Sequence, residues 1–175
     1  INAAPMRKPM AVRPFVPWPD ARLKTPAADV DEITEDTRAT WDDMIDTMEA
    51  MPGRGVGLAA VQIGVMKRLA VVDASRDRGQ AIRMANPEVI AVSDTTRAYE
   101  EASPNLPGHH ARITRPDRVT VAYTDHLGIR LRREFEGLWA TSVQHQIDHL
   151  AGRMYFDRLS KLKRDMFLRR VRKAG

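Results

Sequence analysis

The chain contains no cysteine among its 175 residues. That excludes disulfides and thiolate metal sites, and it gives no sign of an oxidising compartment. No apolar run is long enough to span a bilayer, so no membrane partner is expected. Residues 1–19 mix Arg7, Lys8 and Arg13 with several prolines and lack the apolar block of a signal peptide. An extended N-terminal segment and a cytoplasmic location are therefore the expectations. No internal repeat is visible, and no aromatic ladder accompanies the basic residues.

What is present is enough apolar material for a core. Hydrophobic residues make up 43% of the chain, which predicts a globular protein, and the length predicts one domain over residues 1–175. The formal charge of +5 is unevenly spread. Between Arg158 and Lys173 eight basic residues face a single acid, Asp165. Such a tail attracts polyanions such as ribosomal RNA; a solvated helix face is the simpler alternative.

Ile33, Thr37, Trp41, Met44, Ile45 and Met48 recur with a period near 3.6 and predict a helix from about Asp31 to Met51. Pro52 and Gly53 end it. Pro17–Trp18–Pro19–Asp20 reads as a turn, and residues 54–64 are small and glycine-rich. Arg68–Asp73 reads as a buried strand; Ala81–Met84 and Glu88–Val92 read as two strands separated by Asn86–Pro87. Tyr99–Gly108 reads as irregular. Arg118–Thr124 and Ile129–Phe135 form a predicted hairpin across Asp125–Gly128. A helix is predicted from Gly137 to Leu150, stopped by Gly152. A basic amphipathic helix over residues 160–173 has Leu162, Met166 and Phe167 as its apolar face. Strands in the middle and helices at both ends predict an α+β domain.

The stretch V-Q-H-Q-I-D-H-L at residues 143–150 carries the most chemical information. His145 and His149 are four apart, so a helix sets both imidazoles on one face, where they can grip one divalent ion. In H-E-x-x-H hydrolases the second position is a glutamate that takes a proton from metal-bound water. Here it is Gln146.

Two further stretches share a pattern with this one. Residues 55–62, G-V-G-L-A-A-V-Q, resemble the peptide deformylase signature G-x-G-L-A-A-x-Q. Residues 100–108, E-E-A-S-P-N-L-P-G, stand where that family has E-E-G-C-L-S-x-P-G, and residues 144–149, Q-H-Q-I-D-H, stand where it has Q-H-E-x-D-H. Order and spacing agree, and the likeness runs from W-P-D-A-R-L near residue 18 to the last helix.

The resemblance implies a deformylase-like fold, with small antiparallel or mixed sheets around a central helix that carries the two histidines, and a family reaction, the metal-dependent hydrolytic removal of formyl from N-terminal formyl-methionine. It implies Fe or Zn held by His145, His149 and the residue at position 103. It also implies that Gln62 lies near the formyl group, and that Gly55, Gly57, Leu58 and Gly108 line the substrate cleft. Arg115, Asp148 and Glu101 are expected to orient the ligands. Three positions depart from the family: Ser103 replaces the cysteine ligand, Gln146 the general base, and Pro104 a residue whose N–H steadies the oxyanion. A serine hydroxyl is a weak ligand, an amide accepts no proton, and proline has no N–H. Glu100, Glu101, His109 and His110 are candidates for a substitute ligand.

The expected function is a deformylase homologue with impaired hydrolysis that binds N-terminal peptides or nascent chains. The alternatives are an active amide hydrolase with a rearranged site, and a ribosome-binding module acting through the basic helix.

Overall fold

The computed structural model describes residues 11–175. Residues 1–10, and with them most of the expected extended segment 1–19, lie outside the described part. Residues 11–17 have no regular secondary structure, and Trp18 and Pro19 form the expected turn.

Helix α1 (Glu35–Glu49) begins where the Thr34 side chain accepts from the Thr37 amide at 3.2 Å, with Thr37 bonding back to the Thr34 amide. This reciprocal cap fixes the start four residues later than periodicity predicts. Strands β1 (Gly57–Ala59), β2 (Leu69–Val72), β3 (Ile82–Val92), β4 (Thr96–Glu101), β5 (Ala111–Pro116), β6 (Arg118–Thr124) and β7 (Arg130–Glu136) follow. Helix α2 (Gly137–Leu150) leaves β7 directly, and α3 (Lys161–Ala174) closes the chain. Three short 3₁₀ turns lie at Ala21–Lys24, Ala60–Ile63 and Tyr155–Arg158.

Five strands form one sheet in the order β1-β2-β3-β6-β7; β4 and β5 pair separately. Every strand pairing is antiparallel. Among the described residues the parallel element of the expected mixed sheets is reduced to an isolated bridge, Ala28 to Lys67.

Both faces of the large sheet are covered, which is why β2 is apolar at every position. Ala70 and Val72 point into a cluster with Ala140, Val143 and Leu150 of α2. Leu69 and Val71 point the other way, onto Trp41, Met44 and Met48 of α1. Trp41 is fully buried, and its Nε1 donates to the Met84 carbonyl at 3.2 Å. A third cluster joins Val16, Leu23, Ile113, Tyr155 and Phe156 to Phe167 of α3.

Three expectations need correction. Ile82–Val92 is one strand rather than two, because Asn86 takes a left-handed φ of 48° and makes a bulge, after which pairing with β6 resumes. Its side chain secures the bulge, accepting from Val30 N and donating to Val30 O, both at 2.8 Å. Tyr99–Glu101 is strand rather than irregular. In α3, Leu162 and Met166 are 71% and 48% exposed; the packed face is Phe167 with Leu168 and Val171. Among the described residues no helix is long and apolar enough to cross a membrane.

Candidate functional site

Helix α2 forms the floor of the site. Its C-terminal end is held by Gly152, at φ +78°, where a side chain would meet the Lys24 carbonyl at 2.8 Å. Ala27 N also donates to Leu150 O at 2.9 Å. His145 and His149 share the face expected of an i, i+4 pair, with ring centroids 4.9 Å apart.

The two-stranded sheet orients this face. His145 Nδ1 donates to Glu101 Oε1 (2.8 Å), at the end of β4, which leaves Nε2 as the free ring nitrogen. Arg115 of β5 donates from Nε and Nη2 to the two Glu101 oxygens (2.7 and 2.9 Å) and from Nη1 to Asp148 Oδ2 (2.8 Å). Arg158 closes the chain of charges on Asp148, with Nε 2.9 Å from Oδ2 and Nη2 on Oδ1. Burial pushes the Glu101 pKa up, but hydrogen bonds from His145 and Arg115 outweigh it and hold the carboxyl below its ordinary value. Asp148 behaves alike, with burial opposed by Arg158 and Arg115. Two carboxylates and two guanidiniums cancel, so the network is paired as a buried charge must be.

His149 is buried, and burial first, then the neighbouring His145 and Arg115, push its pKa well below the ordinary imidazole value. Its Nε2 lies 3.3 Å from Ser103 Oγ, and its Nδ1 has no partner among the described residues. Ser103 Oγ in turn lies 3.0 Å from Asn105 Oδ1 and accepts from Gln62 Nε2 (3.2 Å). Gln62 Nε2 also donates to Asn105 Oδ1 at 2.8 Å, while its Oε1 accepts from Ala59 N at 2.8 Å. Because Asn105 Oδ1 also accepts from Gln62, the Ser103 hydroxyl can either donate to His149 Nε2 or accept from it, according to the imidazole tautomer.

A divalent ion needs a bare nitrogen on each imidazole and a third donor stronger than a neutral hydroxyl. Among the described residues no three His, Cys, Asp or Glu side chains converge as a ligand set. The donors present are two imidazoles and a serine hydroxyl already engaged with two amides. They do not fit the three-ligand set that the motifs imply.

Gln146 lies beside this network under β1. A Cβ added to Gly57 would sit 2.6 Å from Gln146 Nε2 and 2.5 Å from Ser142 Oγ, so only glycine leaves room for these α2 side chains. Ser142 Oγ donates to the Val56 carbonyl at 2.8 Å and locks the strand to the helix. Gln146 Oε1 is buried and has no partner among the described residues. The open cleft above has Met51, Pro52, Val56, Leu138 and Thr141 on its walls and Gln62, His145 and Gln146 at its base. Pro104 lines it without an N–H to offer.

The structure brings together His145, His149, Ser103, Gln62, Gln146, Glu101, Arg115 and Asp148, and it sets Gly55 and Gly57 on the cleft. Leu58 is different: it is fully buried against α1 and does not line the cleft. Gly108 lines an adjoining apolar hollow with Phe15 and Leu106. Met51, just beyond the end of α1, is a wall residue of the cleft. Glu101 is engaged by His145 and Arg115 rather than free as a substitute ligand, and exposed Glu100 pairs with His110 Nδ1 at 2.9 Å. His109 stands edge-on to Phe167, with centroids 6.1 Å apart.

Sequence reasoning missed Asn105, Arg158 and Tyr155, whose ring stacks 5.9 Å from His145. Asn105 sits two residues from Ser103 within a motif, which was an available signal. Arg158 was hidden inside a run read as a solvated tail.

An α+β domain whose central helix presents two histidines beneath a glycine-rich edge strand has the architecture of deformylases. The family model described as polypeptide deformylase matches residues 12–165. A peptide deformylase of Rhizobium meliloti is 42% identical over 168 residues, 95% of each chain. One from Phenylobacterium zucineum is 39% identical, covering 94% of this chain and 97% of its own. Among solved structures, a peptide deformylase from Legionella pneumophila superposes with a TM-score of 0.83 at 39% identity, covering 93% of this chain and 95% of its own. One from Ehrlichia chaffeensis in complex with actinonin gives 0.84 at 34%, covering 95% and 99%. The chain belongs to the polypeptide deformylase family.

Proposed function

We propose that this deformylase-family chain holds N-terminal peptide segments in its cleft and hydrolyses a formyl group slowly or not at all. The observation that carries the reading is Gln146. Its amide occupies the floor where the family pattern requires a carboxylate, and an amide accepts no proton. Loss of a positioned general base costs about 10²–10⁴ in rate. Pro104 withholds an oxyanion donor, which costs on the order of 10²–10³. Ser103 weakens metal retention separately. These losses need not multiply, because catalytic groups act as a unit.

Peptide binding has its own support. Among the described residues β1 is an edge strand, paired only with β2, and its Gly57 faces the cleft. An extended peptide gains main-chain hydrogen bonds by adding to such an edge. The apolar walls would hold a side chain such as methionine, and Gln62 and Gln146 would bond a neutral formamide at the base. Contact of α3 with ribosomal RNA is supported by exposed Lys161, Arg169, Arg172 and Lys173, which form no ion pair among the described residues.

The test is a formyl-Met tripeptide measured for binding and turnover beside an ordinary deformylase. Saturable binding with kcat/KM at least about 10² lower is expected, the smaller end of either the general-base or the oxyanion loss taken alone. Equal turnover would identify an active hydrolase with a rearranged site and overturn the proposal.

A further inference from the structure

Glu100 belongs to two hollows. On one side it lines the cleft; on the other it opens a groove between the β4–β5 sheet and α3, along Arg112, Leu159, Lys163, Met166 and Arg170. We infer that this groove receives the downstream part of a peptide whose first residues occupy the cleft, and that it selects acidic side chains there. The inference rests on the peptide-binding reading and adds a specificity to it.

Charge carries the first part of the argument. Arg158 and Arg164, nearby, are held by Asp148 and by Asp157, the latter at 2.7 Å. Arg112, Lys163 and Arg170 form no ion pair among the described residues. Glu100, at the mouth of the groove, accepts a hydrogen bond from His110 Nδ1 at 2.9 Å and keeps its negative charge. Three cations thus converge on one depression whose single carboxylate among the described residues, Glu100, stands at its mouth. Arg170 is further placed by its guanidinium, 6.0 Å over the Phe167 ring.

Chemistry of the lining favours a polypeptide over a nucleic acid. Leu159, Met166 and Ala111 offer apolar surface between the cations, which suits the alkyl stems of glutamates and the backbone of an extended chain. Among the described residues no Phe, Tyr or Trp lines the groove to serve as a stacking platform for single-stranded bases. The Glu100 carboxylate at the entrance repels a phosphate backbone. It also sets a register: an acidic residue is disfavoured where the peptide passes Glu100 and favoured beyond it.

The experiment uses fluorescent peptides sharing one N-terminal formyl-Met tripeptide and differing in the next eight residues: neutral, basic, or neutral with a Glu-Glu pair walked along the tail. Anisotropy titrations are run at low and high salt. Acidic tails should bind about 5–50-fold more tightly than neutral ones, as two or three partly exposed pairs allow. The advantage should peak at one tail position and shrink with salt. It should vanish in Lys163→Glu/Arg170→Glu, with affinity for the bare tripeptide unchanged.

Equal affinity for acidic and neutral tails, with normal tripeptide binding, overturns the groove proposal alone. Failure of every peptide to bind overturns the peptide-binding reading and this inference with it. A single-stranded RNA oligomer that displaces the acidic tail, binds more tightly than it, and is lost in the same double variant would assign the groove to nucleic acid and overturn the proposal.

Discussion

Gly57 and Gln146 fit against each other so closely that a methyl group on the glycine would lie 2.6 Å from the amide nitrogen. Gln146 has a flexible end and can move, but Ser142 Oγ, 2.5 Å from the same point, is tied to Val56 O. Gly57→Ala should therefore cost about 1–3 kcal/mol, the range for overpacking a tight interior. It should also weaken peptide binding by pushing the amide into the cleft. Urea unfolding and a peptide titration check both effects; a variant indistinguishable from the parent in both would show that β1 and α2 are not so closely joined.

Restoring ligand and base should recover metal more readily than rate. The double variant Ser103→Cys/Gln146→Glu is expected to purify with close to one transition-metal ion per chain, measured by elemental analysis, against far less in the parent. Its deformylation should remain on the order of 10²–10³ below that of an ordinary deformylase, because Pro104 still supplies no N–H. Adding Pro104→Leu should close most of that gap. Full activity in the double variant would remove Pro104 from the argument.

The two arginines on Asp148 should differ in weight. Arg115 is 3% exposed at the side chain and holds both Glu101 and Asp148. Arg115→Met leaves buried carboxylates short of a partner, at a cost of about 3–5 kcal/mol. Arg158, 44% exposed, is screened by water, and Arg158→Ala should cost roughly 1 kcal/mol. Chemical denaturation of both variants tests the order, and a reversal would mean that Asp148 is held mainly from the surface side.

Asp73 gives a pH signature away from the cleft. Its carboxylate accepts from Ser75 N (3.0 Å), Ser75 Oγ (2.5 Å) and Gln80 N (3.0 Å). Burial pushes its pKa up, but these bonds and the charge of Arg78 prevail and hold it below the ordinary value. The unfolded chain therefore takes up the proton first. The stabilisation is fully present above about pH 4 and is lost as the pH falls through the folded-state pKa. Asp73→Asn should lower stability by about 1–3 kcal/mol at neutral pH. Its deficit should narrow as the pH drops below about 4, as read from unfolding curves across pH 3–7. A deficit that stays constant with pH would contradict the account.

Patterning revealed the elements whose burial follows a simple period. The α2 helix, the β6–β7 hairpin and the apolar β2 strand all stand at or within a residue or two of their expected bounds. The β4–β5 pair was invisible because its inward residues include Glu101 and Arg115, a buried ion pair that reads in sequence as surface. Asn86–Pro87 looked like a strand end because its compensation, the bond to Val30, comes from 56 residues away. The packed face of α3 was misjudged because Leu162 and Met166 fit the helical period about as well as Leu168 and Val171, and only tertiary contacts choose between them. At the site, motif spacing led to both histidines and to Gln62. The tertiary partners that set their roles, Asn105 above all, come from loops with no period to read.

Asn105 also reaches outward, donating from Nδ2 to the carbonyls of Val16 (2.7 Å) and Gln62 (3.0 Å). Val16 N donates to Gln62 O, and Trp18 N to Asn105 O. The leading arm of the chain is thus stitched to the two loops that carry Ser103 and Gln62. Recombinant versions trimmed past Phe15 would lose those stitches as well as a few residues, and tags joined close to that point would pull on the pocket itself.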